Sequence, residues 1–197
     1  PGAGSFTDFD RIFQMRREEA DTFYKGITPP SATEDEARVL RQALAGMLWG
    51  KQYYDYDLHR WLEQHDAETV GGSRHDVRNE HWFHMDNQNV ISMPDKWEYP
   101  WYAAWDLAFH TVPLSSVDVR FAQQQLDLML KPTYLHPNGQ LPAYEWNFGD
   151  VNPPVHAWAC LFTYEQEKRL RGEADLTFLK RAFGKLMLNF NWWVNQK

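Results

Sequence analysis

Residues 93–110 read MPDKWEYPWYAAWDLAFH. The ten residues from Trp97 to Asp106 include five large aromatic side chains and two carboxylates. A packed core avoids this mixture, because burying an unpaired carboxylate is costly. A sugar pocket uses both residue types, since aromatic rings stack on the apolar face of a pyranose and carboxylates accept hydrogen bonds from its hydroxyls. The stretch therefore predicts one wall of a carbohydrate site.

The same mixture returns in residues 141–154, which read LPAYEWNFGDVNPP. We interpret the two stretches as two walls of a single carbohydrate site. The alternative is that both are loops anchored by aromatic side chains, with their acids exposed to solvent. Because the mixture occurs twice in one short chain, the sugar site is the favoured interpretation.

Composition narrows the classes of function that fit the chain. Its 197 residues suit one domain or part of a larger one, and 43% hydrophobic content is enough for a packed core. A formal net charge of −7 argues against a nucleic-acid partner. No apolar run is long enough to cross a membrane. The only cysteine, Cys160, rules out an intrachain disulfide, and its apolar neighbours predict a buried structural thiol.

The ends of the chain suggest a piece of something longer. The sequence begins at Pro1 with no leader pattern and stops at Lys197 within a strong helical pattern. We therefore expect a trimmed fragment and leave its compartment open, with the single cysteine favouring a cytoplasmic protein.

Apolar spacing predicts helices over most of the chain. Residues 7–25 carry apolar side chains at roughly helical spacing. Thr33 and Glu36 have the spacing of a capping box, which predicts the start of a second helix. For residues 49–61 two interpretations stay open, an extended segment or the frayed end of a helix. Residues 64–89 are predicted to form a long irregular loop, and loops of this length are often functional.

Four helices are predicted after the first aromatic stretch. The first runs over residues 100–112, and the second is capped by Ser115 or Ser116. Asn152, followed by proline, predicts the start of the third, and Gly172 predicts its end. Asp175 caps the fourth. The predicted inward face of this last helix consists of Leu179, Ala182, Phe183, Leu186, Phe190 and Trp193.

A histidine-rich part of the long loop invites a metal interpretation. His81 and His84 stand three residues apart, and Asp86 follows. This spacing differs from the zinc pattern HExxH, in which the histidines are four residues apart. We therefore expect ordinary loop histidines and no metal.

The arrangement of these features predicts the fold. Site-like residues fall in loops between helices or at helix starts, whereas helix interiors are apolar. This layout is typical of an α-helical toroid, in which loops at one end of alternating inner and outer helices form the pocket.

Two motifs resemble the catalytic domain of glycoside hydrolase family 63, namely residues 93–110 and residues 139–158. This family includes processing α-glucosidase I and bacterial relatives such as mannosylglycerate hydrolase, and the second motif is similar to the bacterial branch. The resemblance covers most of the chain and is tightest from about residue 92 to residue 158. Because the motifs are long and rich in tryptophan, chance agreement is a poor explanation for them.

The resemblance implies an all-α fold, the (α/α)6 toroid of six-hairpin glycosidases. Residues 1–197 would form a single partial domain, about the N-terminal half of the barrel. It also implies hydrolysis of α-linked glucosides or related oligosaccharides with inversion, using two carboxyl groups about 6.5–9.5 Å apart. In the family both groups lie downstream of the helix that ends this chain. We therefore expect no catalytic residue within it and an inactive fragment when it is taken alone.

The residues that match the family motifs are those of a substrate-binding pocket. Trp105 and Asp106 would hold the ring and hydroxyls of the sugar to be cleaved. Tyr144, Glu145 and Trp146 would form the facing wall. The full predicted set is Trp97, Glu98, Tyr99, Trp101, Trp105, Asp106, His110, Tyr144, Glu145, Trp146 and Asn147.

Two other classes of function stay open. A sugar epimerase on a similar helical barrel would use a histidine acid/base pair, for which His110 and His156 are the candidates. A non-catalytic carbohydrate-binding fragment would use the aromatics and acids without chemistry. In all cases we expect a sugar ligand and no cofactor, nucleic acid or membrane, and for the glycosidase also the remainder of the barrel.

Overall fold

The computed structural model describes residues 6–64, 85–144 and 148–196. The chain divides into two compact units, Pro1–Ala45 and Gly46–Lys197. The site predicted from the sequence lies in the second unit.

The first unit contains helix α1, Phe9–Ile27, and most of helix α2, Glu34–Trp49. The capping box at the start of α2 is confirmed. The backbone N–H of Thr33 donates to Oε2 of Glu36 over 2.7 Å, and the N–H of Glu36 lies 3.3 Å from Oγ1 of Thr33. These two hydrogen bonds satisfy donors that every helix start leaves without an intrahelical partner. The backbone N–H and the hydroxyl of Thr33 both donate to the Glu36 carboxylate, which holds the pKa of Glu36 below its ordinary value.

The second unit begins with a two-stranded antiparallel sheet, which corrects the all-α prediction. Strand β1, Lys51–Asp57, pairs with strand β2, Asp86–Ser92, in a register that runs from Lys51 opposite Ser92 to Asp57 opposite Asp86. Helix α3, Leu58–Gln64, follows β1 directly. The extended interpretation of residues 51–57 was therefore the right one, and the loop prediction was wrong for residues 86–89.

The polar sequence of β2 explains why it escaped prediction. Asp86 to Asn89 have low strand propensity, so their extended form depends on tertiary contacts rather than local preference. Gln125 supplies such contacts at the far end of the strand. Its Oε1 accepts from the N–H of Ser92 over 3.2 Å, and its Nε2 donates to the carbonyl of Val90 over 3.0 Å. One side chain thus pairs with a strand backbone as a neighbouring strand would.

Four helices make up the rest of the unit: α4, Ala104–Leu114; α5, Val119–Met129; α6, Val155–Arg171; and α7, Leu176–Asn195. Helix α4 packs against both α5 and α6. Helix α5 is capped by Asp118, whose Oδ1 accepts from the N–H of Phe121 over 3.0 Å, and not by Ser115 or Ser116. The predicted ends at Gly172, with φ of 82°, and at the Asp175 cap are confirmed.

The core of this unit lies between the sheet and the four helices. Tyr102 and Tyr134 are fully buried with ring centroids 4.4 Å apart. Cys160 is buried in the same cluster, and burial raises the pKa of its thiol to about 12. The prediction of a structural thiol is confirmed.

The inward face predicted for α7 is partly wrong. Ala182 is buried, but Phe183 is 64% exposed and Phe190 is 58% exposed. The buried residues of α7 are Phe178, Ala182, Asn189 and Trp192. The face that α7 buries is therefore turned relative to the predicted one. It includes the polar Asn189, which a purely apolar pattern does not anticipate.

These observations describe a mainly helical fold with one small sheet.

Candidate functional site

Backbone pairing brings the two aromatic stretches together. Ala103, just before α4, forms an isolated antiparallel bridge with Tyr144. The N–H of Ala104 donates to the carbonyl of Ala143 over 3.0 Å, and the N–H of Ala143 donates to the backbone carbonyl of Asp150 over 2.9 Å. This bridge holds Ala103 in an extended conformation, so α4 begins at Ala104 and not at Pro100. The first turn of α4 therefore stands beside the second stretch.

Asp106 and His110 form a pair on this helix. They are separated by four residues, which places them one above the other on the same face. Asp106 lies in the first helical turn, where free backbone N–H groups favour an anion. Burial raises the pKa of Asp106, although its own backbone N–H and His110 act in the opposite direction. Burial lowers the pKa of His110, against the attraction of Asp106.

A residue that sequence reasoning missed holds one side of His110. The hydroxyl oxygen of Ser92, at the end of β2, lies 3.1 Å from Nδ1 of His110. Ser92 is fully buried, and Gln125 fixes its backbone. No local sequence signal marks this serine, because its role depends on a strand that tertiary contacts create.

Trp105 belongs to a neighbouring row of aromatic side chains. Its ring packs edge-on against Phe109 at 5.4 Å between centroids, and Phe109 packs against Trp158 on α6 at 6.5 Å. Trp105 is 39% exposed, so part of its surface is open to a ligand. The row thus orients Trp105 without covering it.

The other predicted site residues, apart from Tyr144, divide into three groups. Tyr99 and Trp101 pack against the core cluster and are half-buried. Trp97 is 91% exposed, and Glu98 is also exposed. Asp95 shapes this turn, since its Oδ1 accepts from the N–H groups of Trp97 and Glu98. The predicted residues Glu145, Trp146 and Asn147 lie outside the described residues.

A second histidine, His156 on α6, has a different environment. It is buried, and its Nε2 lies 3.0 Å from Oδ1 of Asn189. Nδ2 of Asn189 donates to the carbonyl of Gly139 over 2.8 Å. Burial lowers the pKa of His156 to about 4. His156 is therefore neutral near pH 7 and joins α6 to α7 and to the turn at Gly139.

A crevice of about 10 Å³, roughly the space of one water molecule, borders the hydrogen-bonded pair of His156 and Asn189. Trp105, Asn152, His156 and Trp193 are among the residues that line it. It is too small for a sugar ring. It does show that Trp105 and the His156 network are neighbours.

In residues 6–64, 85–144 and 148–196, no group of three or more histidine, cysteine or acidic side chains is placed to hold a metal ion. His81 and His84 lie outside those ranges. No helix in the part of the chain that the structure describes has the length and hydropathy to cross a membrane.

Sequence comparisons relate the chain to a glycoside hydrolase domain family. A family profile described as the mannosylglycerate hydrolase MGH1-like glycoside hydrolase domain matches residues 99–197. The chain is also 49% identical over 193 residues to a protein of Saccharomyces cerevisiae, called uncharacterized protein YMR196W. That match covers 96% of this chain but only 18% of the yeast protein. No solved structure gives a significant match.

Proposed function

Because the chain belongs to the family of MGH1-like glycoside hydrolase domains, we propose that it supplies the sugar-binding part of an inverting glycosidase site. The observation that carries this proposal is the first two turns of α4, where Trp105, Asp106 and His110 follow the backbone bridge that pairs Ala103 with Tyr144. Trp105 is partly open to solvent. The chain spans 18% of its yeast relative, so the activity of a whole protein is itself part of the proposal.

Each group has a distinct task in this proposal. Trp105 stacks on the apolar face of the sugar ring, and Asp106 accepts hydrogen bonds from its hydroxyls. Those bonds strengthen as the ring distorts towards the transition state. Burial raises the pKa of Asp106, and the N–H groups of the first turn of α4 oppose this shift by favouring the charged form, which is the stronger acceptor.

The chemical step needs a general acid and a general base that we place outside these residues. The acid protonates the leaving oxygen, and the base activates a water molecule on the opposite face of the ring. Inversion follows from this single displacement. We propose α-linked glucosides, mannosylglycerate and related glycosides as the substrates to be tested first, and an (α/α)6 barrel as the fold of the whole domain.

The position of His156 argues against the epimerase alternative. A histidine acid/base pair needs two imidazoles that can exchange protons with the substrate. His156 is buried, and its Nε2 is engaged by Asn189. It therefore acts as a structural side chain, and His110 has no catalytic partner in it.

The proposal is tested in the full-length protein with the substitution Asp106→Asn. We expect turnover to fall by at least about a hundredfold, since a carboxylate that grips the distorted ring is replaced by a neutral amide. Glu165→Gln is a matched control, because Glu165 is an exposed carboxylate on α6. Unchanged turnover in Asp106→Asn would remove this residue from the site. Sugar binding by the wild type without any hydrolysis would favour the non-catalytic alternative.

A further inference from the structure

The buried hydroxyl of Ser92 offers a way to decide which nitrogen of His110 carries the proton. Ser92 is fully buried, and among the described residues the one partner of its hydroxyl is Nδ1 of His110, 3.1 Å away. A hydroxyl has one proton to donate, and a buried donor without an acceptor costs about 1–3 kcal/mol. If Nδ1 carried a proton, the Ser92 hydroxyl would accept from it and its own proton would have no acceptor.

The opposite arrangement satisfies both groups. When the hydroxyl donates to Nδ1, the neutral imidazole carries its proton on Nε2. The lowered pKa of His110 agrees with this, since only a neutral ring has an accepting nitrogen. Nε2 has no hydrogen-bond partner in the described parts of the chain.

Gln125 keeps the serine in place. The two polar ends of its side-chain amide pair with the backbone of β2 at Val90 and Ser92. Gln125 is itself buried within α5. A rigid helix therefore fixes the strand end, the strand end fixes the hydroxyl, and the hydroxyl fixes the imidazole.

We propose that Ser92 is a positioning residue that presents His110 as an Nε2–H donor beside the carboxylate acceptor of Asp106. Side chains four residues apart on a helix have Cβ atoms about 5–6 Å apart. From Cβ atoms at this spacing the two side chains can converge on adjacent hydroxyls of a pyranose, of which one accepts from His110 and the other donates to Asp106. The ligand class is thus a sugar with a free vicinal diol, an inference that rests on the proposed function.

The first test reads the proton on His110 without any sugar. The chain is labelled with 15N in its histidines, and the ring nitrogens of His110 are identified by their loss in His110→Gln. In the wild type near pH 7 we expect a single form with the proton on Nε2. Ser92→Ala should give a mixture of both tautomers, and Ser92→Thr, which retains the hydroxyl, should restore the single form. A wild-type spectrum with the proton on Nδ1 would overturn the proposal.

The second test measures sugar binding by the full-length protein. The probes are methyl α-D-glucopyranoside and its monodeoxy forms, and binding is followed by calorimetry. Ser92→Ala should weaken binding of the parent sugar about tenfold, the effect of one misdirected hydrogen bond, while Ser92→Thr should stay within about twofold. Two of the monodeoxy sugars should bind weakly to the wild type, namely those that lack the hydroxyl bound by His110 or the hydroxyl bound by Asp106. The two missing hydroxyls should belong to neighbouring carbons.

The outcomes separate the two proposals. If Ser92→Ala changes the tautomer but the wild type binds none of these sugars, the proton assignment holds and the sugar site fails. If the wild type binds sugar and Ser92→Ala binds it equally well, the positioning role fails and the sugar site stands. Circular dichroism of each variant identifies any loss of fold, and Ser92→Thr decides the question if Ser92→Ala unfolds.

Discussion

His110 and His156 each have one ring nitrogen hydrogen-bonded by the described residues, but they differ in burial and in what that hydrogen bond connects. His110 is half-buried and is held at Nδ1 by Ser92, while Nε2 has no partner among the described residues. His156 is buried and is held at Nε2 by Asn189, which is held in turn by the carbonyl of Gly139. The first arrangement leaves a donor for a ligand, whereas the second uses the ring to join three segments. Residue type alone therefore did not distinguish a binding histidine from a structural one.

The largest effect should come from the turn beneath His156. Gly139 has φ of 96°, and an added Cβ would lie 2.4 Å from the carbonyl oxygen of Leu188. Gly139→Ala should therefore lower the free energy of unfolding by at least about 3 kcal/mol, because backbone atoms must move. Gly172→Ala is the matched control. It has φ of 82° but open space around it, so it should cost only about 1 kcal/mol.

Equilibrium unfolding in urea measures both variants. Equal losses for Gly139→Ala and Gly172→Ala would mean that the close approach of α7 to this turn contributes nothing beyond the backbone conformation. The support of the His156 network would then have to come from elsewhere.

Acid should weaken the same region. The pKa of His156 is about 4 in the folded chain, against an ordinary value of 6.5. As the pH falls, His156 therefore takes up a proton in the unfolded chain before it does so in the folded chain. The stability that neutral His156 contributes is intact above about pH 6.5 and is lost as the pH falls towards 4. The shift corresponds to about 3 kcal/mol. Urea unfolding between pH 7 and pH 4 measures it, and His156→Gln should show a correspondingly shallower decline.

His110 should also make the folded chain less stable as the pH falls, since burial lowers its pKa too. It remains present in His156→Gln and serves as an internal reference. A decline of the same slope in that variant and in the wild type would show that His156 is not the group that titrates.

Replacing the two histidines one at a time tests whether His110 binds the ligand and His156 stabilises the fold. His110→Gln should weaken sugar binding by about tenfold in the full-length protein, the value of one hydrogen bond to the ligand, and should leave the unfolding free energy within about 1 kcal/mol. His156→Gln should do the reverse. Calorimetry and urea unfolding on both variants give the four numbers required, and binding loss in both variants alike would erase the distinction.

The sequence was most informative where chemistry is local. The capping box at Thr33, the glycine at the end of α6 and the cap at Asp175 follow from contacts within a few residues, and all three are confirmed. The family was also recognisable, because long tryptophan-rich motifs carry more information than composition. The profile match over residues 99–197 agrees with that prediction.

One error was local, since α5 is capped by Asp118 and not by Ser115 or Ser116. The other errors involve contacts between distant residues. Strand β2 depends on its pairing with β1 and on Gln125, which lies 33 residues from Ser92. The start of α4 depends on the bridge from Ala103 to Tyr144. The rotation of α7 depends on Asn189, whose partner His156 is 33 residues away. For the same reason, Ser92 was absent from the predicted site.

The smallest expected effect is a change in the fluorescence of Trp105. If a sugar stacks on this ring, saturating methyl α-D-glucopyranoside should change the tryptophan fluorescence of the full-length protein. The change is diluted, because this chain alone has ten tryptophans. Trp105→Phe should remove most of it, while Trp49→Phe should retain it, since Trp49 is exposed and lies on α2 away from both aromatic stretches in sequence. A change that survives in Trp105→Phe would place the sugar elsewhere. The aromatic row of Trp105, Phe109 and Trp158 would then be a packing surface, and the partly open ring would carry no argument for a ligand.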